Sequence, residues 1–186
     1  MSYKAAAMCS AIVMSTLFYN AAQAADQQVE RGKYLVATGG CHDCHTPGYF
    51  LGHEQTDKFL GGSDIAFSIP GLGVFRAPNL TPDSETGIGQ WSTNDIVTAI
   101  TTGKIPNGRT LAPIMPWENL SHLTAADAMA IAVYLKTIPP IKNEITGPFG
   151  PSQKPDVPTF IIPAPGRVHE SGKSSEVGFF PSNRYH

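Results

Sequence analysis

Apolar positions in this chain fall into helical spacing in three places. Between Asp26 and about Thr38, Val29, Leu35 and Val36 face one way while Glu30 and the Arg31 to Lys33 stretch face the other. This is the period of an amphipathic helix, which Asp26 can cap. Gly39-Gly40 ends it. A second helix is predicted from Ser92, because Ser92-Thr93-Asn94-Asp95 has the form of a capping box; it carries Ile96, Val97 and Ile100 and stops at Gly103. The third opens at Thr124-Ala125-Ala126-Asp127, again in capping-box form. It sets Ala128, Ile131, Ala132, Leu135 and Ile138 on one face and ends at Pro139-Pro140. Gly32, inside the first helix, costs about 1 kcal/mol relative to alanine, a cost that fits close approach of another backbone.

Elsewhere the period is lost. From Thr46 to Gln90 glycine and proline recur, and no apolar run lasts long enough for a long element, so this stretch is predicted as loop. A loop of that length in a compact domain needs a core from outside the polypeptide. Phe67, Ile69, Leu72, Val74 and Phe75 are the residues expected to pack on it. Pro106-Asn107-Gly108 predicts a turn.

The outside core has a candidate. Cys41-His42-Asp43-Cys44-His45 is a CxxCH run, the attachment site of a c-type haem. One tight helical turn holds both sulfurs against the porphyrin edge, and the next side chain, His45, swings under the iron. A thioredoxin-like CxxC would want a strand before it, whereas a helix precedes this one. A zinc site would need a second pair of ligands, and the only other cysteine is Cys9. A structural disulfide would leave His45 without a use.

What fills the sixth position on the iron decides between electron transfer and chemistry on a small molecule. Met115 is the leading candidate, because Pro113 and Pro116 exclude helix and present it from a stiff loop. Met129 lies inside the third helix, where packing is its expected use. His53, His122 and His169 offer bis-histidine ligation without a comparable rigid setting.

The first two dozen residues differ in kind from the rest. Lys4, the mostly apolar run Ala5 to Tyr19 and Ala22-Gln23-Ala24 have the layout of a secretory signal peptide, so residues 1–24 are expected to be removed and the mature chain to begin at Ala25. The run is short for a membrane anchor. Cys9 could carry a lipid, but Met8 stands where a lipoprotein signal needs a small residue. Removal takes away Lys4 and no acid, leaving 12 basic against 15 acidic side chains. That balance gives no field for nucleic acid and no basic docking ring.

From about Arg31 to Ile141 the chain resembles a class I cytochrome c domain, and most of all the single-haem modules of the cytochrome c subunits of alcohol and gluconate dehydrogenases. The resemblance is carried by Arg31-Gly32-Lys33-Tyr34-Leu35, Cys41 to Thr46, Asn79-Leu80-Thr81-Pro82, Glu85 to Gly89 with Trp91-Ser92, Pro113 to Trp117, and Tyr134 to Pro140. It implies an all-α class I cytochrome c fold, few helices and long loops around one covalent haem c, with first and last helices crossing at Gly32. It also implies His45 as proximal and Met115 as distal ligand. The crossing is expected near Ala128, Ile131 or Ala132. Two features depart from the pattern: one haem module is present, and residues 142–186 follow as an irregular proline-rich extension.

The resulting division is a signal peptide at 1–24, a cytochrome c domain at 25–141 and the extension at 142–186. The expected function is a periplasmic electron carrier, not an enzyme, taking electrons from a dehydrogenase and passing them to a downstream redox acceptor of the respiratory chain. Any membrane association would run through a partner. The extension, with apolar patches at Thr159 to Ile162 and Val177 to Phe180, is either a disordered tail or a strap over the module or into a partner subunit. The competing function is a haem enzyme or sensor with a labile sixth ligand, peroxidase-like, which would want an acid-base residue beside the iron.

Overall fold

The computed structural model describes residues 23–161. The signal-peptide reading therefore lies outside the described residues, except for Gln23 and Ala24, which are helical. The first helix, α1, covers 23–38, so Asp26 lies inside it instead of capping it. Ala24 and Ala25 are the reason, since alanine continues a helix at the least cost of any residue. Val36 is buried and Leu35 half-buried, as the spacing predicts.

Gly40, at a positive φ of 65°, turns the chain into α2 (Cys41–His45). Further on come α3 (Thr93–Thr102), α4 (Trp117–Leu120) and α5 (Ala125–Thr137). Around Ser92 the capping box forms in full, and Gly103 ends α3 in the left-handed conformation. At Thr124 only half a box forms: the threonine hydroxyl accepts from the Asp127 N–H at 3.0 Å. The Asp127 carboxylate accepts from Arg31 Nε at 2.8 Å, tying α1 to α5.

That tie lies beside the helix crossing. A Cβ placed on Gly32 would stand 2.0 Å from the carbonyl oxygen of Ala130 and 2.7 Å from the Tyr134 Cβ. The expected crossing exists, and the atoms nearest to Gly32 belong to Ala130, which lies between the expected Ala128 and Ile131, and to Tyr134 one turn on. Ile131, Ala132 and Leu135 of α5 join Val36, Leu60, Ile88, Ile96 and Ile138 in the core, and Ala128 and Ala130 are buried as well. α5 is therefore buried on more than one side.

The loop expected over 46–90 contains strands, and an all-α description is corrected accordingly. β1 (Ala66–Ile69) and β2 (Gly73–Phe75) form an antiparallel hairpin with Phe67 opposite Phe75. Pro70-Gly71 makes the turn, with Gly71 at φ 76° and the Leu72 N–H donating to the Ile69 carbonyl at 3.1 Å. β3 (Thr159–Ile161) pairs in parallel with β1, giving the order β2-β1-β3. Leu72 is exposed at the turn, and Phe67 packs on the rings of Phe50 and Phe160.

Because β3 comes from the C-terminal stretch, residues 142–161 form a strap laid on the module. Asn143 donates from its backbone to the Thr86 hydroxyl and from its side chain to the Gly61 carbonyl, at 3.0 and 2.7 Å. Ile145 packs on Gly62, and Phe149 forms an antiparallel bridge with Val74. The second apolar patch, Val177 to Phe180, lies outside the described residues. No described helix is long and apolar enough to cross a membrane.

Candidate functional site

The site is built on α2. Its five residues make a single turn, closed by the Thr46 N–H donating to the His42 carbonyl at 2.9 Å. Cys41 and Cys44 are not joined in a disulfide, and both are partly buried. Burial pushes the Cys41 thiol up to about 11 and raises that of Cys44, so both are held in the neutral form.

His45, the last residue of the turn, is buried. Its Nδ1 lies 2.7 Å from the Pro78 carbonyl oxygen. A carbonyl can only accept, so Nδ1 carries the proton and Nε2 keeps its lone pair. Burial depresses the imidazole to about 4, with the Pro78 hydrogen bond acting in the opposite direction, so the ring is neutral at ordinary pH. A neutral imidazole oriented through Nδ1 by a carbonyl is the arrangement that metal-ligating histidines use.

Pro78 is held in turn. Asn79 is almost wholly buried; its amide donates to the Ile141 carbonyl at 2.7 Å and its oxygen accepts from the Thr81 N–H at 2.9 Å. The Thr81 hydroxyl accepts from the Ile141 N–H at 3.0 Å, so the chain leaving α5 is pinned to the segment facing His45. On the other side Leu60, in the left-handed region at φ 60°, donates to the Thr46 hydroxyl and accepts from the Leu80 N–H. A leucine in that conformation is strained and persists where the surroundings over-determine it, as these two bonds do.

Met115 is presented separately, in the turn before α4. Its N–H donates to the Ala112 carbonyl at 2.9 Å, its carbonyl accepts from the Trp117 N–H at 2.8 Å, and it is half-buried. The Trp117 indole lies on Gly103, which fixes this turn to the end of α3. The rival ligands sit differently. His53 bonds the Leu51 carbonyl within its own turn and His122 bonds back to Glu118; both are exposed. Met129 is within α5, and His169 is outside the described residues.

Among the described residues no group of three or more histidine, cysteine or acidic side chains could hold a metal ion by itself. Two adjacent thiols and one buried, pre-oriented imidazole are the donor set of a covalent haem instead. Residues 29–139 match the sequence model of the family described as cytochrome c. This chain belongs to the cytochrome c family. The family's cofactor is covalently bound haem c, and Cys41-x-x-Cys44-His45 fits its attachment motif.

Similarity to individual cytochromes c follows the same residues. The chain is 38% identical over 112 residues to the fructose dehydrogenase cytochrome subunit of Gluconobacter japonicus, covering 59% of this chain and 22% of that one. It is 33% identical over 127 residues to the alcohol dehydrogenase (quinone) cytochrome c subunit of Gluconacetobacter polyoxogenes, covering 66% and 27%. To the gluconate 2-dehydrogenase cytochrome c subunit of Pantoea cypripedii it is 35% identical over 127 residues, covering 67% and 27%. The match thus spans about a quarter of each relative's length. Sequence reasoning missed the Pro78 carbonyl and the Asn79 hub behind it, although Asn79-Leu80-Thr81-Pro82 carried part of the resemblance; a buried asparagine in a loop was the available signal.

Proposed function

We propose that this cytochrome c is an exported single-haem electron carrier that serves a dehydrogenase. In this reading Cys41 and Cys44 would form the two thioethers, and His45 Nε2 and the Met115 thioether would ligate the iron. The carrying observation is the His45 ring, buried, neutral and turned by Pro78 so that its free nitrogen is a ligand rather than a base. When bound, the haem supplies a one-electron couple between ferric and ferrous iron, with thioether ligation and apolar burial raising its potential.

The residues of the chain do the rest. Pro78 and Asn79 hold the imidazole, and α2 fixes the spacing of the thiols. In this reading the Met115 turn would close the remaining side, and its Pro113, Ile114 and Pro116 carry no group that can move a proton as a peroxidase-like reaction would require. The relatives' names supply the partner class, and the signal-like first 24 residues supply the compartment: a periplasmic dehydrogenase on one side, a downstream redox acceptor on the other. The strap is the segment added to the module for docking.

The experiment is an intact mass followed by a reduction assay. The periplasmic protein should weigh as the chain from Ala25 plus one haem. Purified fructose, alcohol or gluconate dehydrogenase, stripped of its own cytochrome subunit, should reduce it when substrate is added. Free thiols at Cys41 and Cys44, or no reduction by any of these enzymes, would contradict the reading.

A further inference from the structure

Two segments far apart in sequence meet in one exposed apolar face. The turn after α2 contributes Tyr49, Phe50 and Leu51, all exposed, and β3 contributes Phe160 and Ile161, exposed by 50% and 76%. Phe50 joins them: its ring centroid is 5.6 Å from that of Phe160 and 5.8 Å from that of Phe67, while Phe67 and Phe160 stack at 5.8 Å. None of these six side chains is charged. β3 is also the outer strand of its sheet, so its far edge lacks a strand neighbour among the described residues.

The same rings lead inward. Phe50 meets Tyr49 edge-on at 5.3 Å, Tyr49 meets His42 edge-on at 5.7 Å, and His42 stacks on Phe59 at 6.1 Å. His42 stands between the two attachment cysteines. The Tyr49–His42 contact therefore joins the exposed face to the turn that carries the cofactor. Area narrows the choice of occupant. With aromatic side chains of about 150–250 Å² each, roughly half exposed, the face offers on the order of 500 Å². A stable protein interface needs about 800 Å² per partner, whereas transient redox encounters use less. The face is small for a permanent dimer and the right size for a passing contact, with aromatic anchors and no charge at its centre.

We propose that this face is where the electron-donating subunit of the dehydrogenase docks, through an uncharged apolar surface of its own. The inference rests on the carrier reading above and adds the place and chemistry of contact. In each encounter one electron leaves a one-electron redox cofactor of the donor, which is oxidised, and reduces the haem c beside α2. No bond is made or broken on this chain.

The test uses the full-length holoprotein, wild type and Leu51→Ser/Ile161→Ser, with the stripped dehydrogenases named above and with ascorbate as a reductant that needs no docking. Both forms should have the same spectrum and the same rate with ascorbate. With the dehydrogenase, the half-saturating cytochrome concentration should rise tenfold or more in the double variant, and salt should leave the wild-type value nearly unchanged. A photoreactive benzoylphenylalanine at Leu51 should cross-link to the donor subunit. Equal half-saturation in both forms, with wild-type reduction intact, overturns the docking site and leaves the carrier role standing. Failure of wild-type reduction overturns both. Substitutions that instead abolish self-association or binding to phospholipid vesicles, with half-saturation unchanged, assign the face to a second copy or to a bilayer and overturn the proposal.

Discussion

Asn79 is 1% exposed and bonds Thr81 and Thr86 of its own loop and Ile141 beyond α5, from a position next to Pro78. Truncation to alanine would leave the buried Thr81 N–H without its partner and the Ile141 carbonyl with only the longer bond from the Thr81 hydroxyl, at about 1–3 kcal/mol for an unsatisfied buried group. Asn79→Ala should therefore lower the denaturation midpoint of the holoprotein markedly, and an unchanged midpoint would show that water replaces the amide. The Arg31–Asp127 pair is the opposite case, lying at the surface. The hydrogen bond from Arg31, with that from Thr124, holds the Asp127 carboxyl below its usual range. A depressed carboxylate stabilises above its unfolded value near pH 4 and loses that contribution as pH falls through the folded value. Asp127→Asn should cost a small drop in melting temperature at neutral pH and none in strong acid. Residues such as Cys41, Cys44, His45 and Ser92 were legible in the sequence because their chemistry is local. Pro78 was not, since it contributes only a backbone carbonyl, which any residue has.

Among the elements, the crossing of α1 and α5 was visible as a glycine out of place and through the resemblance, but the particular backbone it meets was not. Sequence spacing identifies the apolar stripe of α5, whereas Gly32 meets the backbone of Ala130 on another side. Gly32→Val must push the helices apart, at about 1–3 kcal/mol or more as overpacking; unchanged thermal stability would mean that the helices do not cross here. Helix α3 was readable to its ends because Ser92 and Gly103 mark them. The sheet was hidden for a physical reason. Strands of three and four residues hold too little of a period to register, and β1 finds β3 some ninety residues along the chain. Pro70-Gly71 was the one local sign of the hairpin.

At the scale of the whole molecule, the strap makes the C-terminal stretch part of the fold up to Ile161. Removing everything after Ile141 would free Asn143, Ile145, Phe149 and β3 from the module, so it should destabilise the holoprotein to heat and denaturant. Ending the chain after Ile161 keeps those contacts and should give a more stable protein than ending it after Ile141. Equal stability of the two truncations would show that the strap adds nothing to the fold. The carrier reading itself turns on how the iron is held, with His45 set by Pro78 and Met115 set by its proline-flanked turn. The most direct measurement is the optical spectrum of the oxidised holoprotein, recorded for the wild type and for Met115→Ala. The wild type should show one haem per chain, the weak near-red band of methionine-to-iron charge transfer and no reaction of the reduced form with carbon monoxide. The variant should lose the band and bind carbon monoxide readily. A wild-type spectrum without that band, or a band that survives the substitution, would contradict a carrier whose iron is closed by Met115.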